Sequence, residues 1–166
     1  MTYDSGEDTR EHIVQVAARL EAVCKELRTR GERHDASKLG PDEKPYFDAV
    51  GPTLQGLVYG SDDYRAAVER LRPALKHHYA NNSHHPEHYP DGVAGMDLID
   101  LIEMYCDWAA STLRTKDGNL ARSIELNTDR FGIGELLGDI LRNTWKRYGG
   151  LCGQPEFNTA LTLPEE

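Results

Sequence analysis

Between Thr9 and Arg30 the apolar residues Ile13, Val16, Ala17, Leu20, Val23, Cys24 and Leu27 recur with the period of an α-helix, and Gly31 follows where a C-terminal cap is expected. A stripe of this kind commits the segment to a helix, because the same residues would scatter over both faces of a strand. His12 falls at the edge of the stripe, beside Val16 and Val23, where it can look towards the core from the first turn, and a surface or capping role stands level with a ligand role. No later segment alternates with a strand's period of two, so the chain reads as all-α.

Proline and glycine divide the remainder. Gly40 to Tyr59 carries Pro41, Pro45, Gly51, Pro52 and Gly56, which predict short helices and turns. Ser61, Asp62 and Asp63 supply a cap and first-turn acids for a helix to about Tyr79, with Tyr64, Val68, Leu71 and Leu75 on one face and Pro73 as a kink or a second start. On that wheel His78 lies in the apolar face, whereas His77 points about 100° away. Asn81 to Gly95 reads as an ordered loop. Residues 97 to 114 form a helix with Leu98, Ile102, Tyr105, Ala109 and Leu113 on its apolar side. Two more helices follow, about Asn119 to Arg130 and Ile133 to Tyr148. The expectation is a single compact helical bundle of about six to seven helices within one domain, 1–166. Its ligand-bearing core spans about 9–114, its C-terminal helices 119–148, and a tail from 149 to 166 is expected to pack loosely.

Length and charge narrow the function. A chain of 166 residues is long enough to bury a core without disulfides. Cys24, Cys106 and Cys152 are odd in number and widely spaced, which argues for reduced thiols and against a cysteine-based zinc knuckle. The formal charge of −9 disfavours duplex nucleic acid as a partner, since phosphate neutralisation needs a lysine and arginine surface. The N-terminus lacks the pattern of a signal peptide and no apolar run reaches membrane-spanning length, so a cytoplasmic protein without a membrane partner is expected.

All seven histidines, His12, His34, His77, His78, His84, His85 and His88, precede residue 89, and His34 is followed directly by Asp35. Imidazole and carboxylate together form the donor set that Zn²⁺, Fe or Mn²⁺ takes when sulfur is absent. A polar loop rich in His and Asn is also a common surface feature, but five histidines within twelve residues favour metal binding. A further carboxylate could come from Asp97, Asp100, Glu103 or Asp107. These share one face of the 97 to 114 helix, opposite Leu98, Ile102 and Ala109, where periodicity alone predicts the solvated side. Cys106, Trp108 and the small residues at 109 to 111 favour burial near Asp107. Glu43 and Glu87 are candidate proton acceptors, and His88 a candidate supporting donor.

The order His12, His34-Asp35, His78, His84-His85, Asp107 resembles the ligand order of the HD superfamily of metal-dependent phosphohydrolases, in its longer form that binds two metals. HDASK at 34 to 38 is similar to the HD-x-G-K motif of the HD-GYP cyclic-dinucleotide phosphodiesterases, with serine in place of glycine. HHPEHYPDG at 84 to 92 is similar to their HHE-x-x-DG stretch, and CDWAAS at 106 to 111 to the late aspartate helix. Small HD-type proteins of phages and bacteria are also similar. The GYP tripeptide is absent, since Val93-Ala94-Gly95 follow Gly92, so cyclic-dinucleotide specificity does not carry over.

The resemblance implies an HD-like domain in which His12, His34, Asp35 and Asp107 surround a first metal. His78, His84 and His85 would hold a second, with Asp35 bridging. The cofactor implied is one or two divalent transition metals, Fe, Mn or Zn, with Mg or Co as further options. Lys38 would meet a substrate phosphate, with Arg122 and Arg130 as looser candidates. The expected function is hydrolysis of a phosphoester or phosphoanhydride in a nucleotide or similar small phosphorylated substrate, through a metal-activated water in which Asp35 and Lys38 take part. Two other readings stand beside it: a di-iron oxygenase with nearly the same ligands, and a non-catalytic binding module that keeps the HD fold.

Overall fold

The computed structural model describes residues 5–54, 56–57, 61–114 and 118–148. Among them the chain is all-α: seven α-helices, three 3₁₀ turns and no strand. The stretch 149–166, expected to pack loosely, lies outside the described residues. By its internal contacts the chain divides into two units, Met1–Asn82 and Ser83–Glu166.

The first unit opens with α1, Ser5–Arg33. Gly31 does not stop it. The helix passes through that glycine and ends two residues later, because the left-handed residue that breaks the path is Asp35, at φ 58° and ψ 13°. Asp35 is the only non-glycine with positive φ among the described residues. Aspartate is among the few side chains that tolerate this conformation, one normally given to glycine just past a helix end. No residue of α1 is buried.

A 3₁₀ turn, Ala36–Leu39, follows, and then α2, Lys44–Leu54. The predicted 61 to 79 helix is two helices: α3, Asp62–Glu69, and α4, Arg72–Asn81. Pro73 begins the second rather than kinking the first, as its missing N–H dictates. The Ser61 hydroxyl accepts from the Tyr64 N–H at the start of α3. Val50, Ala67 and Leu71 form the core here, joined by Phe47, Leu54, Leu57 and Leu75.

The second unit begins with the histidine loop, ordered by two 3₁₀ turns, Pro86–His88 and Gly92–Gly95. Its helices are α5, Leu98–Thr112, α6, Leu120–Arg130, and α7, Glu135–Tyr148. Met104, Tyr105, Trp108, Ile124, Ile133 and Leu141 make the core, with Phe131 stacked parallel to Trp108 at 6.3 Å. Helix α5 reverses the predicted orientation at its start: Leu98 is 76% exposed while Asp100 is 2% exposed. Its acidic side therefore turns inward.

Between α6 and α7 the chain reverses through Gly132, at φ 59°. The Ile133 N–H donates to the Thr128 carbonyl at 2.9 Å and the Gly132 N–H to that of Asp129, the paired closure that ends a helix on a left-handed residue. Space around the Gly132 Cα is open, so Gly132→Ala tests the backbone conformation alone. The expected cost is about 1–2 kcal/mol, read as a lowered denaturation midpoint with an unchanged helical spectrum. An unaltered midpoint would refute the conformational requirement.

Candidate metal centre

In the first unit the site grows from the end of α1. The helix delivers His34, and the left-handed turn at Asp35 swings the carboxylate back across it, with His34 Nε2 3.6 Å from Asp35 Oδ2. The following 3₁₀ turn brings Lys38 round on the same side, and its Nζ donates to Asp35 Oδ2 at 2.5 Å. The Lys38 ammonium also lies 5.5 Å from the centre of the Phe47 ring, so its position is fixed from two directions.

Helix α4 contributes the third donor. His78 is 1% exposed and His77 is the outward one, as the wheel predicts. His78 Nε2 faces Asp35 Oδ1 at 3.1 Å, and Nδ1 donates to Glu43 Oε2 at 2.9 Å. The other Glu43 oxygen accepts from His77 Nδ1 at 2.7 Å. Glu43 is wholly buried, so it is not a solvent-facing base. Its work is to hold His78 through Nδ1, which turns Nε2 towards Asp35. Asn82, one turn after His78, donates to the His78 carbonyl at 2.7 Å and to the Ser37 hydroxyl at 2.8 Å, pinning the end of α4 to the Asp35 turn.

Electrostatics follow from this packing. Burial pushes Asp35 up, but hydrogen bonds from His78 and Lys38, with the charges of Lys38 and His34, outweigh it and hold the carboxyl well below the usual carboxylate range. Burial acts likewise on Glu43, and the hydrogen bonds of His77, Ser37 and His78 overcome it. Both groups are carboxylates at neutral pH, the form in which they bind a cation or orient an imidazole.

The second unit repeats the device. His84, also buried, directs Nδ1 at Glu103 Oε1, 3.2 Å away, and its ring lies 4.2 Å from that of His85. Glu103 thus orients His84 as Glu43 orients His78. Asp100 serves the loop itself: it accepts from the Ser83 hydroxyl at 2.7 Å, the Tyr89 hydroxyl at 2.5 Å and the Asp97 N–H at 3.2 Å. Burial and the Asp100 carboxylate together raise the Tyr89 phenol above its ordinary value, so it stays protonated and donates. The loop closes against this ring at Gly95, where an added Cβ would come within 2.8 Å of Tyr89 Cβ.

His34, Asp35, His78, His84, His85 and Asp107 belong to His/Asp groupings that could hold a metal ion. His12 does not join them. It sits exposed on α1, and the helix carries it about 30 Å from His34 at 1.5 Å per residue. The wheel placed it on the right stripe but could not say that the stripe would lie uncovered. Asp107 is half-buried, as its small neighbours suggested, and Asp97 caps α5. Arg122 is exposed, while Arg130 pairs with Glu87 at 2.8 Å and lies over the Phe131 ring, beside the histidine loop. Glu43 and Glu103 as anchors of histidines could not be read from the sequence: the first acts across 35 residues and the second across 19, with no spacing rule to link them.

These pairings carry a pH signature. Asp35 and Glu43 have lower pKa values folded than unfolded, so the unfolded chain takes up protons first as pH falls. The stability they confer is complete at neutral pH and drains away below the ordinary glutamate value of 4.5. Urea titrations in chelator across this range should show the loss. Glu43→Gln should cost about 1–3 kcal/mol at pH 7 and flatten the acid limb. An acid limb identical in the two proteins would count against this role for Glu43.

No curated protein and no solved structure matches the chain. Residues 1–146 match DUF5662, a family of unknown function, and the match includes every candidate site residue named above. The chain belongs to the DUF5662 family.

Proposed function

We propose that this protein is a metal-dependent phosphohydrolase acting on a nucleotide or a similar small phosphorylated substrate. One observation carries the reading: Asp35, fixed in a left-handed turn directly after His34, meets the Nε2 of a buried histidine whose Nδ1 is held by a buried glutamate. Aspartate and histidine are thus presented side by side, with the second sphere of hydrogen bonds that ligating histidines ordinarily have. The resemblance of HDASK and HHPEHYPDG to the HD phosphohydrolases supports the same conclusion, and the family match covers both motifs.

In this reading His34, Asp35, His78, His84, His85 and Asp107 hold one or two divalent transition ions. His78 and His84 lie six residues apart in the sequence. When bound, the metal supplies a Lewis acid that lowers the pKa of water and offsets charge on phosphate oxygens. Lys38 binds a non-bridging phosphate oxygen, exchanging part of its contact with Asp35 for the substrate. Glu43 and Glu103 keep the imidazoles from turning as charge develops. Arg130, held at the histidine loop by Glu87, is the arginine placed to meet a longer phosphate chain; Arg122 has no comparable anchor.

Phosphate release from deoxyribonucleotides, ribonucleotides and cyclic dinucleotides, assayed with Mn²⁺, Co²⁺, Fe²⁺ and Mg²⁺ in parallel, tests the proposal. Metal-dependent release from at least one class is expected. Asp35→Asn should abolish it, and Lys38→Ala should lower kcat/KM by about 10- to 100-fold, the worth of a charged hydrogen bond. Absence of release with every metal, accompanied by oxygen consumption, would replace hydrolysis with oxygenase chemistry on the same residues.

A further inference from the structure

Helix α1 raises a question that the metal-binding residues leave unanswered: why a 29-residue helix with an apolar stripe has no buried residue. Ile13 and Leu20 are 59% and 61% exposed, and Val16 and Val23 are exposed as well. Helices in globular proteins owe most of their stability to a covered apolar face, and among the described residues this one has its stripe half-covered only at Leu27. Its larger apolar residues are spaced 13, 16, 20, 23, 27, the alternating steps of three and four of a coiled-coil seam, and the small Ala17 and Cys24 widen one side of it.

We propose that α1 pairs with α1 of a second copy of this chain, in antiparallel orientation. Charge fixes both the partner and its direction. Arg19 and Glu26 flank the seam on the same edge, one heptad apart. Neither has an ion pair within the chain among the described residues. In a parallel pair Arg19 would face Cys24 and Glu26 would face Gly31 of the opposite edge, neither of them charged. In an antiparallel pair that edge meets itself, and Arg19 of each copy meets Glu26 of the other, giving two reciprocal ion pairs. The register this imposes also closes the seam: Val16 meets Leu27 and Leu20 meets Val23, each twice, so all four central layers are apolar. Ala17 and Cys24 then line the opposite edge against each other, where their small size allows close approach. One register therefore satisfies charge, apolar layering and size together. It also sets His12 across from Arg33 of the second copy, beside that copy's His34-Asp35 turn.

Sedimentation of the full chain tests the pairing, and a dimer is expected. Arg19→Glu and Glu26→Arg should each weaken dimerisation by about tenfold or more, since each sets like charges opposite one another twice, and the double swap should restore it. Because these positions are exposed on a helix, the variants keep the fold, which circular dichroism verifies. Direction is read by crosslinking in a background with Cys24, Cys106 and Cys152 replaced by serine: Val16→Cys with Leu27→Cys should give an oxidised covalent dimer, and Val16→Cys alone should not. A monomer at every concentration up to the solubility limit would overturn the proposal. So would crosslinking of Val16→Cys alone, which reports a parallel pair, or a double swap that stays as weak as the single ones.

Discussion

The buried carboxylate of Glu43 is the constraint on which the first unit's chemistry depends. A charged group with no solvent exposure is tolerable only if its oxygens are taken by donors, and here they are taken by His77 and His78, with the Ser37 hydroxyl adding a third hydrogen bond. That requirement joins the turn after His34 and the start of α2 to the last turn of α4, more than thirty residues further on. Once His78 is turned to satisfy Glu43, its second nitrogen has one direction left, and Asp35 stands there. The left-handed conformation of Asp35, which costs about 1–3 kcal/mol in a non-glycine residue, is maintained because Lys38 and His78 hold the carboxylate where that conformation places it.

The second unit solves the same problem with different parts. Glu103 anchors His84 from the inward side of α5, and Asp100, one turn earlier, ties down the loop that carries His84 and His85 through Ser83 and Tyr89. Acids that a helical wheel assigns to solvent are thus the inner wall of the histidine loop. The cost appears on the outside of α5, where Leu98 and Ile102 are left exposed.

The helices were legible because each carries its own period and punctuation: Ser61 opens α3, Asn119 opens α6, and Pro73 marks the start of α4. His78 was separable from His77 for the same reason, since a 100° step decides which of two neighbours faces inward. What the sequence concealed was whatever depends on which face is covered. Gly31 resembled a stop, yet the helix is ended by Asp35, whose left-handed turn is held by contacts to residues on other elements. His12 lay at the edge of an apolar stripe whose Ile13, Val16, Leu20 and Val23 stay exposed, and the α5 acids lay on a face that the histidine loop claims. Glu43 read as a candidate proton acceptor rather than an anchor, because its histidine partners are brought to it by tertiary packing alone.

In the first unit a histidine fixed through Nδ1 by a buried carboxylate faces an aspartate kept ionised, an arrangement that can offer donors to a metal ion, and in the second unit Glu103 holds His84 in the same way. The direct test is the metal content of protein purified without chelator, measured by elemental analysis alongside His34→Ala, Asp35→Ala and His78→Ala variants that retain the helical spectrum. The account predicts one or two equivalents of Zn, Mn or Fe in the unaltered protein and loss of metal in the variants. Metal-free protein that also fails to take up added ions, or variants that keep the full complement, would contradict it.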